Sequence, residues 1–319
     1  MLKKLPAVKI LLVLLFCATI IQSCLKDTHT RTYSIFTPVY KTVAEVRAGI
    51  KNDAPTPIAK AGKIFVQGNY IFLNEVDKGV HIIDNTNPAA PVNKYFISIP
   101  GNVDLAVKGN TLYADQYRDL LTIDISNPEA IAVKKITEKV FPRTDYINGF
   151  VGDTTRIIVD WLKKDTTVGL EYDPTINYSR DFLVLNSAAS FQSGTAPTTG
   201  VSGSMARFTI LNNYLYTVSK SNLSSFNISE PQNPAFTGSV PLSWNIETIY
   251  PFKNNLFIGS EMGMYVFNTT NPAKPALVSN FQHARMCDPV IADDNFAYIT
   301  LRTGTTCGGG AFNRLEIVN

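Results

Sequence analysis

The stretch GVHIIDNTNPAAP, Gly79 to Pro91, sets a short apolar run before a dense cluster of turn formers. The pattern returns as LLTIDISNPEA (120–130), LSSFNISEPQNP (223–234) and MYVFNTTNPAKP (264–275). The polar residue closing each apolar run gives a ruler: Asp84, Asp124, Asn186, Asn227, Asn268 and Asn319, with steps of 40, 62, 41, 41 and 51 residues. An asparagine opening the preceding run gives a second: Asn69, Asn110, Asn213, Asn254 and Asn295, with steps of 41, 103, 41 and 41. Two independent markers with one period define an internal repeat of about 41 residues.

Each unit reads as four short strands. In the second unit they are NVDLAVKG (102–109), NTLYADQY (110–117), DLLTIDIS (119–126) and AVKKIT (132–137). Alternation and β-branched or aromatic content mark the strands, and Gly109-Asn110 is a tight hairpin signal. The Asp or Asn that ends the third strand is expected to accept a hydrogen bond from the backbone two residues on. The proline that follows has no amide hydrogen and stops the ladder. A four-stranded unit of this length is a β-propeller blade, which buries its two faces only by stacking on neighbours. The expected fold is therefore all-β, a β-propeller of four-stranded antiparallel blades over residues 61–319, with six blades visible. The sixth third strand, RLEIVN (314–319), has no fourth strand after it, so a seven- or eight-bladed parent is expected. A six-bladed ring closed by residues 33–60 is the alternative. In that segment, AEVRAGIKNDAPTPIAK (44–60) reads as a short helix and then a proline-rich linker.

GVHIID, LLTIDIS, FLVLN, MYVFN and RLEIVN resemble the LVIVD repeat, found in exported propeller-like proteins, many of them lipoproteins of Bacteroidota. The resemblance covers about residues 60–319. It implies a fold and a compartment, and it carries no shared catalytic chemistry.

The N-terminus agrees with export. MLKKLPAVKILLVLLFCATIIQSC (1–24) places lysines before an apolar run from Ile10 to Ile21, a secretory signal peptide too short to span a bilayer. IQSC (21–24) resembles the lipobox of bacterial lipoproteins, which implies cleavage after Ser23 and lipid on Cys24. Ordinary cleavage beside an incidental cysteine is the alternative. The expected organisation is thus a signal peptide over 1–23, a lipid-anchored tether and N-terminal segment over 24–60, then the propeller. The protein would be held at the outer membrane, periplasmic or surface-facing, by its lipid alone. Cys287 and Cys307 remain as an even pair in an exported chain, which favours a disulfide over two free thiols.

Composition narrows the function. Hydrophobic residues make up 45% of the chain and charged residues 17%, enough for a sizeable core. Setting aside Lys3, Lys4 and Lys9 leaves 26 basic residues against 26 acidic, with no basic stripe for nucleic acid. The three histidines, His29, His81 and His283, stand at no metal-ligand spacing, and His81 alternates with apolar strand positions as a packed or edge histidine does. GTTCGGGAF (304–312) lacks the lysine and helix of a phosphate loop, and ADDN (292–295) is an acidic hairpin turn. No GxSxG elbow occurs. No cofactor and no metal are expected.

The long steps locate the candidate face. Two connections between second and third strands are expanded: KKDTTVGLEYDPTINYSR (163–180) in the third unit and RTGTTCGGGAFN (302–313) in the sixth. Both fall on the face where the innermost strands begin, and Cys287 and Cys307 belong to that face too. Long loops on a rigid scaffold are where binding usually resides. The expected rim of the central channel is Asp104, Arg207, Glu247 and Asp288, with Asp160, Trp161, Tyr172, Arg285 and Arg302 at the loop ends. Such a mixture suits a glycan, a peptide or an envelope protein. One alternative is that these charges merely solvate a funnel. Another is a propeller hydrolase or lyase using carboxylates and arginine over the channel.

Overall fold

The structure, a computed structural model, describes residues 29–141, 155–170, 190–192, 207–219, 221–242, 246–260, 263–282, 290–301 and 314–319. Two compact bodies divide the chain. The smaller lies within Met1–Pro38 and Trp161–Ala196, and the larger within Val39–Asp160 and Pro197–Asn319.

The larger body is the propeller. Its first blade holds β3 (Ala61–Gln67), β4 (Tyr70–Glu75), β5 (Gly79–Asp84) and β6 (Val92–Ser98), with a short edge strand, β2 (Lys51–Asp53), outside β6. The second blade is β7 (Leu105–Lys108), β8 (Thr111–Gln116), β9 (Asp119–Asp124) and β10 (Ala132–Thr137). The fourth repeat unit forms β13 (Phe208–Leu211), β14 (Tyr214–Val218), β15 (Asn222–Asn227) and β16 (Ala235–Pro241). The fifth forms β17 (Ile246–Phe252), β18 (Asn255–Ser260), β19 (Gly263–Asn268) and β20 (Ala276–Gln282). The sixth contributes β21 (Val290–Ala292), β22 (Ala297–Leu301) and β23 (Arg314–Val318). All pair antiparallel in chain order, as the repeat predicts.

The two sequence markers are bonded to each other. The amide after each strand-ending Asp or Asn donates to the carbonyl of the asparagine that opens the hairpin: Asn85 to Asn69, Ile125 to Asn110, Ile228 to Asn213 and Thr269 to Asn254, at 2.7–2.8 Å. The expected side-chain turn is also present. Asp84, Asp124, Asn227 and Asn268 each accept from the amide two residues on, at 2.8–2.9 Å. One period therefore carries two contacts of one turn, which is why both markers repeat together. A feature invisible in the sequence repeats as well: the pairing of third and fourth strands slips at one register position in four blades, at Ile82/Ile83, Thr122/Ile123, Ser225/Phe226 and Val266/Phe267. A bulge there strengthens the local twist of the outer strand.

These turn carboxylates make the fold acid-sensitive. The Ser126 amide and hydroxyl, with Lys134, hold the Asp124 carboxyl down at about 2, and Lys94 with Thr86 holds Asp84 well below the usual carboxylate range. A carboxyl depressed in the folded state stabilises fully above its unfolded value, about 4, and loses that contribution as pH falls through the folded value. The thermal midpoint is expected to hold between pH 5 and 7 and to fall steadily from pH 4 to 2. Circular dichroism melts across that range check it.

The stacking order departs from the chain order. The 103-residue step predicts a third blade between the second and fourth units. Instead β13 packs directly on β7. Ala106, Tyr113, Leu120 and Phe141 share one core cluster with Phe208, Leu215, Phe226 and Ile228. A side-chain staple shows that this neighbour relation is the regular one. The Tyr113 hydroxyl donates to the Pro231 carbonyl of the fourth unit at 2.7 Å, and Tyr216, in the same register, donates to the Pro272 carbonyl of the fifth at 3.2 Å. Tyr113→Phe and Tyr216→Phe are each expected to lower stability by about 1 kcal/mol. The losses should add, because the two staples sit on different blade contacts. Urea denaturation of both single variants and the double variant measures this.

What the third unit supplies is a strand of a separate three-stranded sheet. Residues read as RIIVDWL followed by a loop form one continuous strand, β11 (Ile157–Leu170), paired with β1 (His29–Lys41), whose other edge carries β12 (Ser190–Gln192). Ser34 donates to Asp165 at 2.6 Å, and the Thr32 and Thr167 hydroxyls meet at 2.9 Å. One expectation is corrected here: residues 163–170 are strand and not loop. The third strand FLVLN (182–186) lies outside the described residues.

The N-terminal segment braces the first two blades. Thr42 and Glu45 form a reciprocal capping box on the short helix α1 (Val43–Arg47). Arg47 then bridges Asp119 at 2.8 Å and Glu138 at 2.7 Å on the second blade. Asn52 on β2 donates to the Pro128 carbonyl and accepts from the Ile131 amide. The proline-rich linker ends where Ala59 and Lys60 donate their amides to the buried Glu75 carboxylate. Burial pushes that carboxyl up most, but the Lys60 and Ala59 amides with His81 and Lys78 together leave it below its usual value.

Candidate functional site

The innermost strands begin on one face of the larger body, where three blades place ionisable residues in one register. Lys63 precedes Asp104 by one repeat, and Arg207 follows it by the long double step. The three meet. Lys63 Nζ lies 2.8 Å from Asp104 Oδ1, and Asp104 Oδ2 accepts the Arg207 and Phe208 amides. The Leu105 amide donates to Asp104 Oδ1 at 2.7 Å.

Beneath them lies a second carboxylate, Asp115 on β8. Its Oδ2 sits 2.9 Å from an Arg207 guanidinium nitrogen, and its Oδ1 accepts from the Asn102 side chain and the Val103 and Asp104 amides. Asn102 in turn accepts from Asn74, which holds the register of Asp115 one blade earlier. Asn74, Asn102, Asp104 and Asp115 are fully buried, whereas Lys63 and Arg207 reach solvent with part of their side chains. Burial raises the Asp115 carboxyl above its ordinary value, with Arg207 pulling it back. Two cations, Lys63 and Arg207, thus face the two carboxyl groups.

Both Asp104 oxygens are taken by Lys63 and backbone amides, because the first, second and fourth blades converge on it. Arg207 is partly exposed but is tied to Asp115. Lys63 and Asp115 were missed by sequence reasoning. Stepping back one period from Asp104 finds Lys63, whereas Asp115 lies in a strand that reads as ordinary alternation.

The other expected residues are taken in turn. Asp160 is exposed and Trp161 half-buried, and both lie inside β11 and not at a strand end, since that strand runs on to Leu170. Glu247 lies in β17. Tyr172, Arg285, Asp288, Arg302, the lipid acceptor Cys24 and the cysteines Cys287 and Cys307 lie outside the described residues. His81 is a packed histidine as expected: fully buried, against the Phe96 ring at 4.7 Å, beside Asn93 and 3.5 Å from Glu75. Among the described residues no group of His, Cys, Asp and Glu is placed to hold a metal ion, and no helix is long and apolar enough to cross a membrane.

Comparison with known proteins places two LVIVD repeats in the chain, at residues 59–96 and 101–137. They coincide with the four consecutive strands of the first blade and those of the second. No curated protein matches the chain. Solved structures similar to it include BamB from Moraxella catarrhalis, at 9% identity and a TM-score of 0.43, covering 78% of this chain and 58% of that one. The N-terminal domain of Nup159 matches at 9% identity and a TM-score of 0.44, covering 91% and 65%. PorZ of Porphyromonas gingivalis matches at 14% identity and a TM-score of 0.37, covering 79% and 26%. The chain spans less than two thirds of the length of each of these.

Proposed function

We propose that the chain is a non-catalytic interaction module of the cell envelope. It is anchored to the outer membrane by lipid on Cys24 and binds a glycan, a peptide or another envelope protein. One observation carries the choice against catalysis. Both carboxyl groups gathered where the inner strands begin are buried and held by Lys63, Arg207, Asn102 and backbone amides, which favours bracing of blades over action on a substrate. Binding is assigned to the connection 302–313 of the larger body, with Arg285, Asp288 and Arg302 as contributing side chains and a Cys287–Cys307 disulfide to restrain it; the connection 171–180, with Tyr172, is assigned a binding role of its own.

The test is a pull-down from envelope extract with the full-length lipoprotein, alongside a glycan array. The deletion to use is 171–180, which spares β11. Retained partners that disappear on deleting 171–180 or on shortening 303–312 support the assignment. Partners retained by both variants would sink it. Labelled fatty acid incorporated by the parent and lost in Cys24→Ala tests the anchor.

A further inference from the structure

Two blade contacts carry the same tyrosine staple, and a third lacks it. The residue three after the hairpin asparagine is Tyr113 in the second blade and Tyr216 in the fourth, and each hydroxyl reaches a proline carbonyl in the turn of the next blade. In the first blade that residue is Phe72, which has no hydroxyl to give and lies buried in the core cluster shared with the second blade. The equivalent acceptor, the Pro128 carbonyl of the second blade, is satisfied from elsewhere. Asn52 of β2 donates to it at 2.7 Å.

The same side chain meets a second need of that turn. Three residues past the turn proline, the fourth and fifth units have Pro234 and Pro275, which carry no amide hydrogen. The second blade has Ile131 there, and its amide donates to Asn52 Oδ1 at 2.9 Å.

Asn52 belongs to no blade core. It arrives on residues 42–60, a segment held on both sides of the first contact. On the second blade, Arg47 pairs with Asp119 and Glu138, and Gln116 donates to the Val46 carbonyl. On the first blade, β2 pairs with three residues of β6, Asn93 donates to the Thr56 carbonyl, and Glu75 accepts the Ala59 and Lys60 amides. These holds are few, the Arg47 pairs are partly exposed, and residues 54–60 are exposed throughout. A segment held so lightly opens at a lower free energy than a blade.

We propose that residues 42–60 are a strap that closes the contact between the first and second blades in place of the tyrosine, and that opens as a unit while the blades stay folded. The first contact is thereby conditional where the next two are not, since Tyr113 and Tyr216 are parts of their own blades. An open strap frees the edge of β6 at residues 96–98 together with the Pro128 carbonyl and the Ile131 amide.

Hydrogen exchange of the full chain read by mass spectrometry, with urea denaturation beside it, tests this. In the parent, the amides of residues 42–60 are expected to exchange faster than those of β8 and β9. Asn52→Ala should speed their exchange about tenfold or more, since two hydrogen bonds are lost, and leave the Ile228 and Thr269 turn amides unchanged. Adding Phe72→Tyr to Asn52→Ala supplies the missing hydroxyl and should recover most of the lost urea midpoint while residues 42–60 still exchange fast. In the parent background Phe72→Tyr should gain little, because the Pro128 carbonyl is already taken. Three results would each overturn the strap: residues 42–60 as slow as β9 in the parent, an Asn52→Ala effect spread over all blades, or a Phe72→Tyr effect equal in both backgrounds.

Discussion

Asp104→Ala is expected to lower the stability of the propeller by about 3–5 kcal/mol, among the largest losses from any single substitution in the chain. The side chain is fully buried, and four donors converge on it: the Lys63 ammonium and the amides of Leu105, Arg207 and Phe208. Alanine leaves those amides without an acceptor where water has little access, and strands a cation beside them. The loss is not local, since the donors come from three blades. Asp104→Asn keeps the volume but turns one acceptor atom into a donor facing donors, so it should recover little. Urea denaturation measures both, with the midpoint falling and the slope unchanged. Lys63→Met removes only one partly exposed donor and should cost about 1 kcal/mol. An Asp104→Ala loss as small as that would show that water substitutes for the carboxylate and that the network is not a brace.

Gly79→Ala should destabilise by about 3 kcal/mol or more, although it adds one methyl group. The glycine opens β5 with φ at +147°, a backbone conformation that side-chain-bearing residues rarely adopt. An added Cβ would overlap the Ile97 carbonyl oxygen on β6 and lie 2.9 Å from the Ile99 amide nitrogen. The fourth strand must then move off the third, breaking the ladder. Gly263 repeats the situation in the fifth blade, with φ at +157° and the Phe281 carbonyl in the way. Gly68 provides the control. Its φ is +56° but nothing lies within 4 Å, so Gly68→Ala should cost only about 1 kcal/mol, the conformational part alone. Melting midpoints of the three variants separate overlap from backbone strain. Equal shifts would show that β6 gives way without cost.

Much of the blade was legible because its cause is local. The residues of the Asn69–Asp84 hairpin and its Asp84–Asn87 turn satisfy one another within a few positions, so period, strand order and turn bonding follow from spacing. AVKKIT was placed correctly as the fourth strand of its unit, because its alternation is confined to six residues. The candidate site was legible only in outline. Asp104 and Arg207 were found as first-strand entrances, but whether they meet a ligand or each other depends on which blades touch.

The amino-acid sequence by itself determined the repeat, the four-stranded blade and the side-chain turns. Only the tertiary structure decided that the fourth unit stacks on the second, that residues 157–170 join β1 in a separate sheet, and that Asp104 and Asp115 serve as internal acceptors. The physical reason is range. Turns and hairpins are set by neighbours in the chain, whereas blade faces are apolar and alike, so several stacking orders satisfy the same hydrophobic pattern. The choice falls to contacts between residues about a hundred positions apart, such as Tyr113 with Pro231 and Asp104 with Phe208.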